Sequence, residues 1–172
     1  EGRGGYPPMQ PYLVKLRIYN RAFGTVKIEV GWDELGATED GSDELLDPQD
    51  IVEMFLALGL DRPAPVRVLA PHHQIAQKIH ACTEPDSWRA HDLVDLQLLW
   101  PQDESGLDLV AETTRRQFAY RKLHDFPGRC TPGPDWEESY GVAAEGLDVI
   151  DGVDSAAAWL NARLDELTAR GA

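Results

Sequence analysis

Val66-Arg-Val-Leu-Ala-Pro71-His-His-Gln-Ile-Ala-Gln-Lys78-Ile-His-Ala-Cys82, followed after a polar turn by Arg89-Ala-His-Asp92-Leu-Val-Asp95-Leu-Gln-Leu-Leu-Trp100, decides how this chain reads. Val66 to Leu69 is a short strand rich in β-branched residues. Ala70-Pro71 then opens a helix, because proline at the first helical position sacrifices no hydrogen bond and has its φ preset. That helix is predicted to reach about Cys82, and a second runs from Arg89 to Trp100, closed by Pro101.

Each helical residue turns the side-chain direction by ~100°, so positions can be assigned to faces. In the first helix Ile75, Ile79 and Cys82 form the apolar arc, and Lys78 lies within ~60° of Ile75 on its flank. In the second, Asp92 and Asp95 stand ~60° apart inside the arc that holds Leu96 and Leu99. An ionised group leaves water only when paired, hydrogen-bonded or bound to metal. One turn, Thr83 to Ser87, separates the helices, so Lys78, Asp92 and Asp95 are expected to meet in one polar cluster. Helix geometry alone leaves open whether that cluster is an ion pair fixing the packing or a functional site.

Upstream, Tyr12 to Tyr19 and Thr25 to Trp32 alternate apolar and polar residues, which predicts an antiparallel hairpin with a four- or five-residue turn over Asn20 to Gly24. Asp33 to Asp50 reads as an acidic, solvated loop; its carboxylates lack the spacing of a calcium-binding EF-hand. Asp47-Pro48 starts a short helix that Gly59 ends. Downstream, helices are predicted over Leu107 to Leu123, Asp135 to Leu147 and Ser155 to Ala169, with a Pro- and Gly-rich stretch from Phe126 to Pro134. Strands first and helices after give an α+β class: a small antiparallel hairpin or partial mixed sheet, then a helical bundle. The expected division is 1–69, a sheet remnant with acidic loop and short helix, and 70–172, helical.

The 172 residues are 42% apolar and 27% charged, ordinary for a globular chain. Sixteen Lys and Arg against thirty Asp and Glu give a net charge of −14, which disfavours a broad nucleic-acid surface. Arg115, Arg116, Arg121 and Lys122 form the best local basic patch and read as a solvated helix face. The longest apolar run, Met54 to Leu60, falls far short of the ~20 residues that span a bilayer, so no membrane role is expected. Cys82 and Cys130 are too few for a secreted disulfide scaffold, which points to a reduced, cytoplasmic setting. His72, His73 and His80 lack a zinc-ligand pattern, and no Gly-x-Ser-x-Gly or phosphate-cradling glycine loop is present.

The Lys78-Ile-His-Ala81 segment, the Arg89 turn and the Asp92-x-x-Asp95 helix, in that order after a strand, resemble the AbiEii/AbiGii toxin family of bacterial toxin-antitoxin and abortive-infection loci. His91 stands where that family often has Arg. The resemblance is sharpest over Val66 to Leu99, with Phe118, His124 and Trp136 to Tyr140 also similar. It implies a polymerase-β-like nucleotidyltransferase, in which a nucleoside triphosphate (NTP) gives a nucleotidyl group to an acceptor with Mg²⁺ at acidic residues. By this resemblance Lys78 contacts phosphate, Arg89 assists it, Asp92 holds Lys78 or activates an acceptor hydroxyl, and Asp95 supports them from one layer out. Glu29, in Val26-Lys-Ile-Glu-Val30, occupies the strand position of a third, metal-binding carboxylate, although its polar face explains it equally well.

The Gly-Ser loop and Asp-x-Asp pair that hold metal in related proteins do not precede Tyr12. The chain begins Glu1-Gly2-Arg3, and the expectation is that it holds the later part of a complete enzyme. An antitoxin is the implied protein partner; RNA is a conceivable acceptor that the charge does not support. The competing reading is a non-catalytic helical module that binds a protein partner.

Overall fold

Alternating side chains at the start of the chain fold as the expected hairpin. β1 (Gln10–Ile18) pairs antiparallel with β2 (Arg21–Val30). The computed structural model describes residues 9–38, 44–103 and 105–170. The opening Glu1-Gly2-Arg3 and residues 39–43 of the acidic connection lie outside the described residues.

The turn is shorter than the sequence predicts. Ile18 pairs with Arg21, leaving only Tyr19 and Asn20 between the strands, with φ of 47° and 63°. Two positive φ values mark the primed turn whose twist matches that of a hairpin. The Arg17 guanidinium donates to the Asn20 carbonyl at 2.7 Å and steadies it. Leu16 faces Gly24 while Arg17 faces Ala22, so Phe23 is the extra residue of a bulge. Residues expected in the turn therefore belong to β2.

The acidic connection is likewise not all loop. It contains a 3-10 turn (Glu34–Gly36) and a short strand β3 (Glu44–Leu46), which pairs antiparallel with β4 (Val66–Val68). Between them lies α1 (Gln49–Ala57), with Pro48 in the capping position. Both two-stranded sheets are antiparallel, so the described residues form no mixed sheet.

Among the described residues five α-helices follow: α2 (Pro71–Thr83), α3 (Ala90–Leu99), α4 (Leu107–Arg121), α5 (Trp136–Ala144) and α6 (Val153–Ala169). α2 lies against α3 and α4, α3 also meets α5 and α6, and α4 meets α6. Their apolar stripes build one core. Ile75 and Ile79 of α2, Leu93 and Leu96 of α3, and Leu160, Leu164 and Leu167 of α6 are fully enclosed. The α6 residues Val153, Ala156, Leu160, Leu164 and Leu167 recur every three or four positions, the spacing that keeps one helix face inward.

Gly128, in the Pro- and Gly-rich stretch, passes so close to the end of α2 that a Cβ there would sit 2.6 Å from Thr83 Cβ. The β1–β2 hairpin stays outside this core. Tyr12, Val14, Leu16, Val26, Ile28 and Val30 share one of its faces, all exposed, and no other element packs on the hairpin among the described residues. No helix among the described residues is long and apolar enough to cross a membrane.

Candidate functional site

Lys78 leaves the flank of the α2 apolar arc and reaches α3. Its ammonium donates to Asp92 Oδ1 at 2.8 Å and to Asp95 Oδ2 at 2.5 Å. Asp92 and Asp95 are three positions apart, which stacks them on one side of α3. Arg89, at the α3 N-terminus, donates its Nε to the other Asp92 oxygen at 2.7 Å. The Asp92 side chain is 0% exposed and survives there because both oxygens are held by cations. The Asp95 side chain is 43% exposed, so only one of the two acids is truly inward. His91 Nε2 lies 3.8 Å from Asp92 Oδ1.

Burial pulls the Lys78 pKa down, but hydrogen bonds and charge from Asp92 and Asp95 outweigh it and hold the group above the ordinary lysine value. Lys78 is therefore a fixed positive charge at neutral pH, its side chain 22% exposed.

Lys78 and Arg89 form part of the wall of an open cleft of about 1020 Å³, with the buried Asp92 directly behind them. Trp32, two residues past β2, Trp88 beside Arg89, Glu34 and Arg121 also line it. The loop between α2 and α3 is braced from both sides. Ser87 Oγ donates to the Ala81 carbonyl at 2.6 Å, and Trp136 Nε1 donates to the Ser87 carbonyl at 2.7 Å.

Arg121 corrects one sequence expectation. Instead of joining a solvated basic face it is buried, gripping both Glu34 oxygens at 3.0 Å through Nε and Nη2. Gln117 donates to the same carboxylate. Arg115 donates to the Leu167 carbonyl and Arg116 to that of Leu35, so these cations fasten elements together. The clue was the spacing: Val110, Thr114, Gln117 and Arg121 continue one buried stripe of α4, disguised by polar side chains.

Glu29 does not join the cluster. It sits on the exposed hairpin, paired with Lys27 at 2.5 Å, and does not line the cleft. Mg²⁺ does not fit the acids as they stand, because Asp92 and Asp95 are already engaged by Lys78 and Arg89. Among the described residues no group of three or more His, Cys, Asp or Glu side chains gathers to hold a metal.

His80 and the two thiols serve the core. His80 packs against Phe118 and His124, with ring centroids 4.8 and 4.6 Å away. Burial, with the nearby Arg121 charge and His124, lowers its pKa to about 3. Cys82 and Cys130 are free, buried thiols; burial raises Cys82 well above its usual value and pushes Cys130 up to about 12.

The family model described as "Nucleotidyl transferase AbiEii toxin, Type IV TA system" matches residues 8–157 of the 172. Among curated proteins nothing matches the chain. The match runs from the strand that opens the hairpin into α6 and contains Lys78, Arg89, Asp92 and Asp95, and the chain belongs to the AbiEii nucleotidyltransferase toxin family.

Proposed function

We propose that this chain contributes the phosphate-holding part of a nucleotidyltransferase that moves a nucleotidyl group from an NTP to an acceptor. The observation that carries the reading is the Lys78–Asp92–Arg89 chain of charge-assisted hydrogen bonds in a cleft wall, in a chain of this family. In such a transfer an acceptor oxygen attacks the α-phosphorus, the bond to the bridging oxygen breaks, and pyrophosphate leaves as the acceptor loses its proton. Negative charge grows on the leaving group. Preset cations lower the barrier by meeting that charge without reorganising.

Lys78 supplies the ammonium and Arg89 a planar donor fork. Asp92 exposes no surface to an acceptor and has both oxygens taken, so its role here is to aim Lys78 and Arg89. Asp95, half exposed, is the contact that an incoming phosphate displaces. In this family the wider chemistry uses Mg²⁺, and Glu29 remains a proposed ligand only if the hairpin contributes to a metal site. The hairpin-bearing part (1–69) would then serve the sheet side and 70–172 the helical side. A cytoplasmic setting, with NTPs and reduced thiols, suits this chemistry.

The test uses the full-length protein with each NTP, labelled on the α-phosphate, plus Mg²⁺. Wild type is expected to transfer label and arrest growth, and Lys78→Ala to lose both. If Lys78→Ala retains transfer and toxicity, the site is misplaced.

A second reading has its own observation. The exposed apolar face of the hairpin suits a protein-binding module, with an antitoxin as the natural partner. Co-purification with a neighbour-encoded protein, without NTP affinity, favours it.

A further inference from the structure

Trp88 is 88% exposed and Trp32 is 69% exposed, and both line the cleft that contains Lys78 and Arg89. A large aromatic ring left in water is a feature that asks for an occupant when the ring sits in a concave site. Trp88 is also not on a loose segment. Its neighbour Ser87 is tied to Ala81 and Trp136, its other neighbour Arg89 donates its backbone N–H to Ser87 Oγ at 3.2 Å, and Ser87 N–H closes a turn onto Glu84 at 3.2 Å. The backbone is thus held on both sides while the indole projects free, next in sequence to the guanidinium that contacts Asp92.

We propose that Trp88 is the stacking platform for the base of the bound nucleotide, with Trp32 a second aromatic wall of the same cleft. The inference deepens the nucleotidyltransferase reading and rests on it. Lys78 and Arg89 would hold the triphosphate while the indole covers the base. Stacking on an aromatic face accepts every base, so Trp88 confers affinity for nucleotides over bare phosphates more than choice among the four bases. Being 88% exposed, Trp88 contributes little to the fold, and its replacement separates binding from stability.

The experiment is calorimetric titration of the full-length protein with each NTP and, separately, with inorganic tripolyphosphate, both with Mg²⁺, for wild type, Trp88→Ala and Trp88→Phe. Trp88→Ala is expected to weaken NTP binding roughly 10- to 100-fold, the loss typical of one stacked base, and to leave tripolyphosphate binding unchanged. Trp88→Phe should recover most of the NTP affinity, and in the transfer assay Trp88→Ala should raise KM while largely sparing kcat. Equal NTP affinity for wild type and Trp88→Ala overturns this inference alone. Wild type that binds neither NTP nor tripolyphosphate overturns the nucleotidyltransferase reading and this inference with it.

Discussion

Asp92 and Asp95 accept from the same ammonium yet differ in what their loss should do. Asp92 is sealed between two cations, and replacing it with Ala leaves Lys78 and Arg89 without their shared counter-charge beside a packed core. Breaking this arrangement costs up to about 3 kcal/mol, since Lys78 keeps Asp95 and the Arg89 side chain is 50% exposed. Asp92→Ala should therefore lower the urea midpoint more than Asp95→Ala, whose site is half exposed. His80 gives a second residue-scale expectation. Its folded pKa, about 3, lies below the ordinary 6.5, so only the unfolded chain takes up a proton in that interval. Its stabilisation is complete above pH 6.5 and is lost progressively as pH falls toward 3. Between pH 6.5 and 5 it should remove roughly 2 kcal/mol, and His80→Leu should flatten that limb of the urea-melt series. At this scale the sequence exposes Lys78, Asp92 and Asp95 because ionised groups interrupt an apolar arc. The α4 stripe points Arg121 inward, but its partner Glu34, 87 residues away, has no local pattern to reveal it.

Elements differ in how firmly they are held. The hairpin is secured by its own ladder and turn, while α2, α4 and α6 share enclosed side chains. Hydrogen exchange should follow that division: β1–β2 amides exchange by local opening, and the inner amides of α2 and α4 only through global unfolding. Gly128 is the point where a loop presses on a helix end. Gly128→Ala should destabilise by about 1–3 kcal/mol, since the added methyl overlaps Thr83 Cβ. Its measure is the thermal midpoint. The helices were legible because Pro71, Pro101 and periodic apolar residues mark them within a few positions. β3 was not, for a three-residue strand is defined by its partner β4 and not by its own sequence. The hairpin turn is masked in the sequence because Gly24, a usual turn residue, faces Leu16 within the ladder beside the bulge.

Across the whole molecule the two thiols report on the integrity of the core. Cys82 and Cys130 are buried and hard to ionise, so a thiol reagent should react with them only at the rate of unfolding, and in step with urea concentration. Charge is distributed as unevenly as stability. Lys15, Arg17, Arg21 and Lys27 against Glu29 make the projecting hairpin positive on a chain whose total is −14. The molecule is thus electrically two-ended, and its average repulsion conceals an attractive orientation in which one molecule's ribbon meets another's acidic body. Light scattering in dilute buffer should give a second virial coefficient lower than a uniformly anionic sphere of this size. Raising ionic strength to about 0.15 M, where screening acts within roughly 8 Å, should narrow its difference from that sphere.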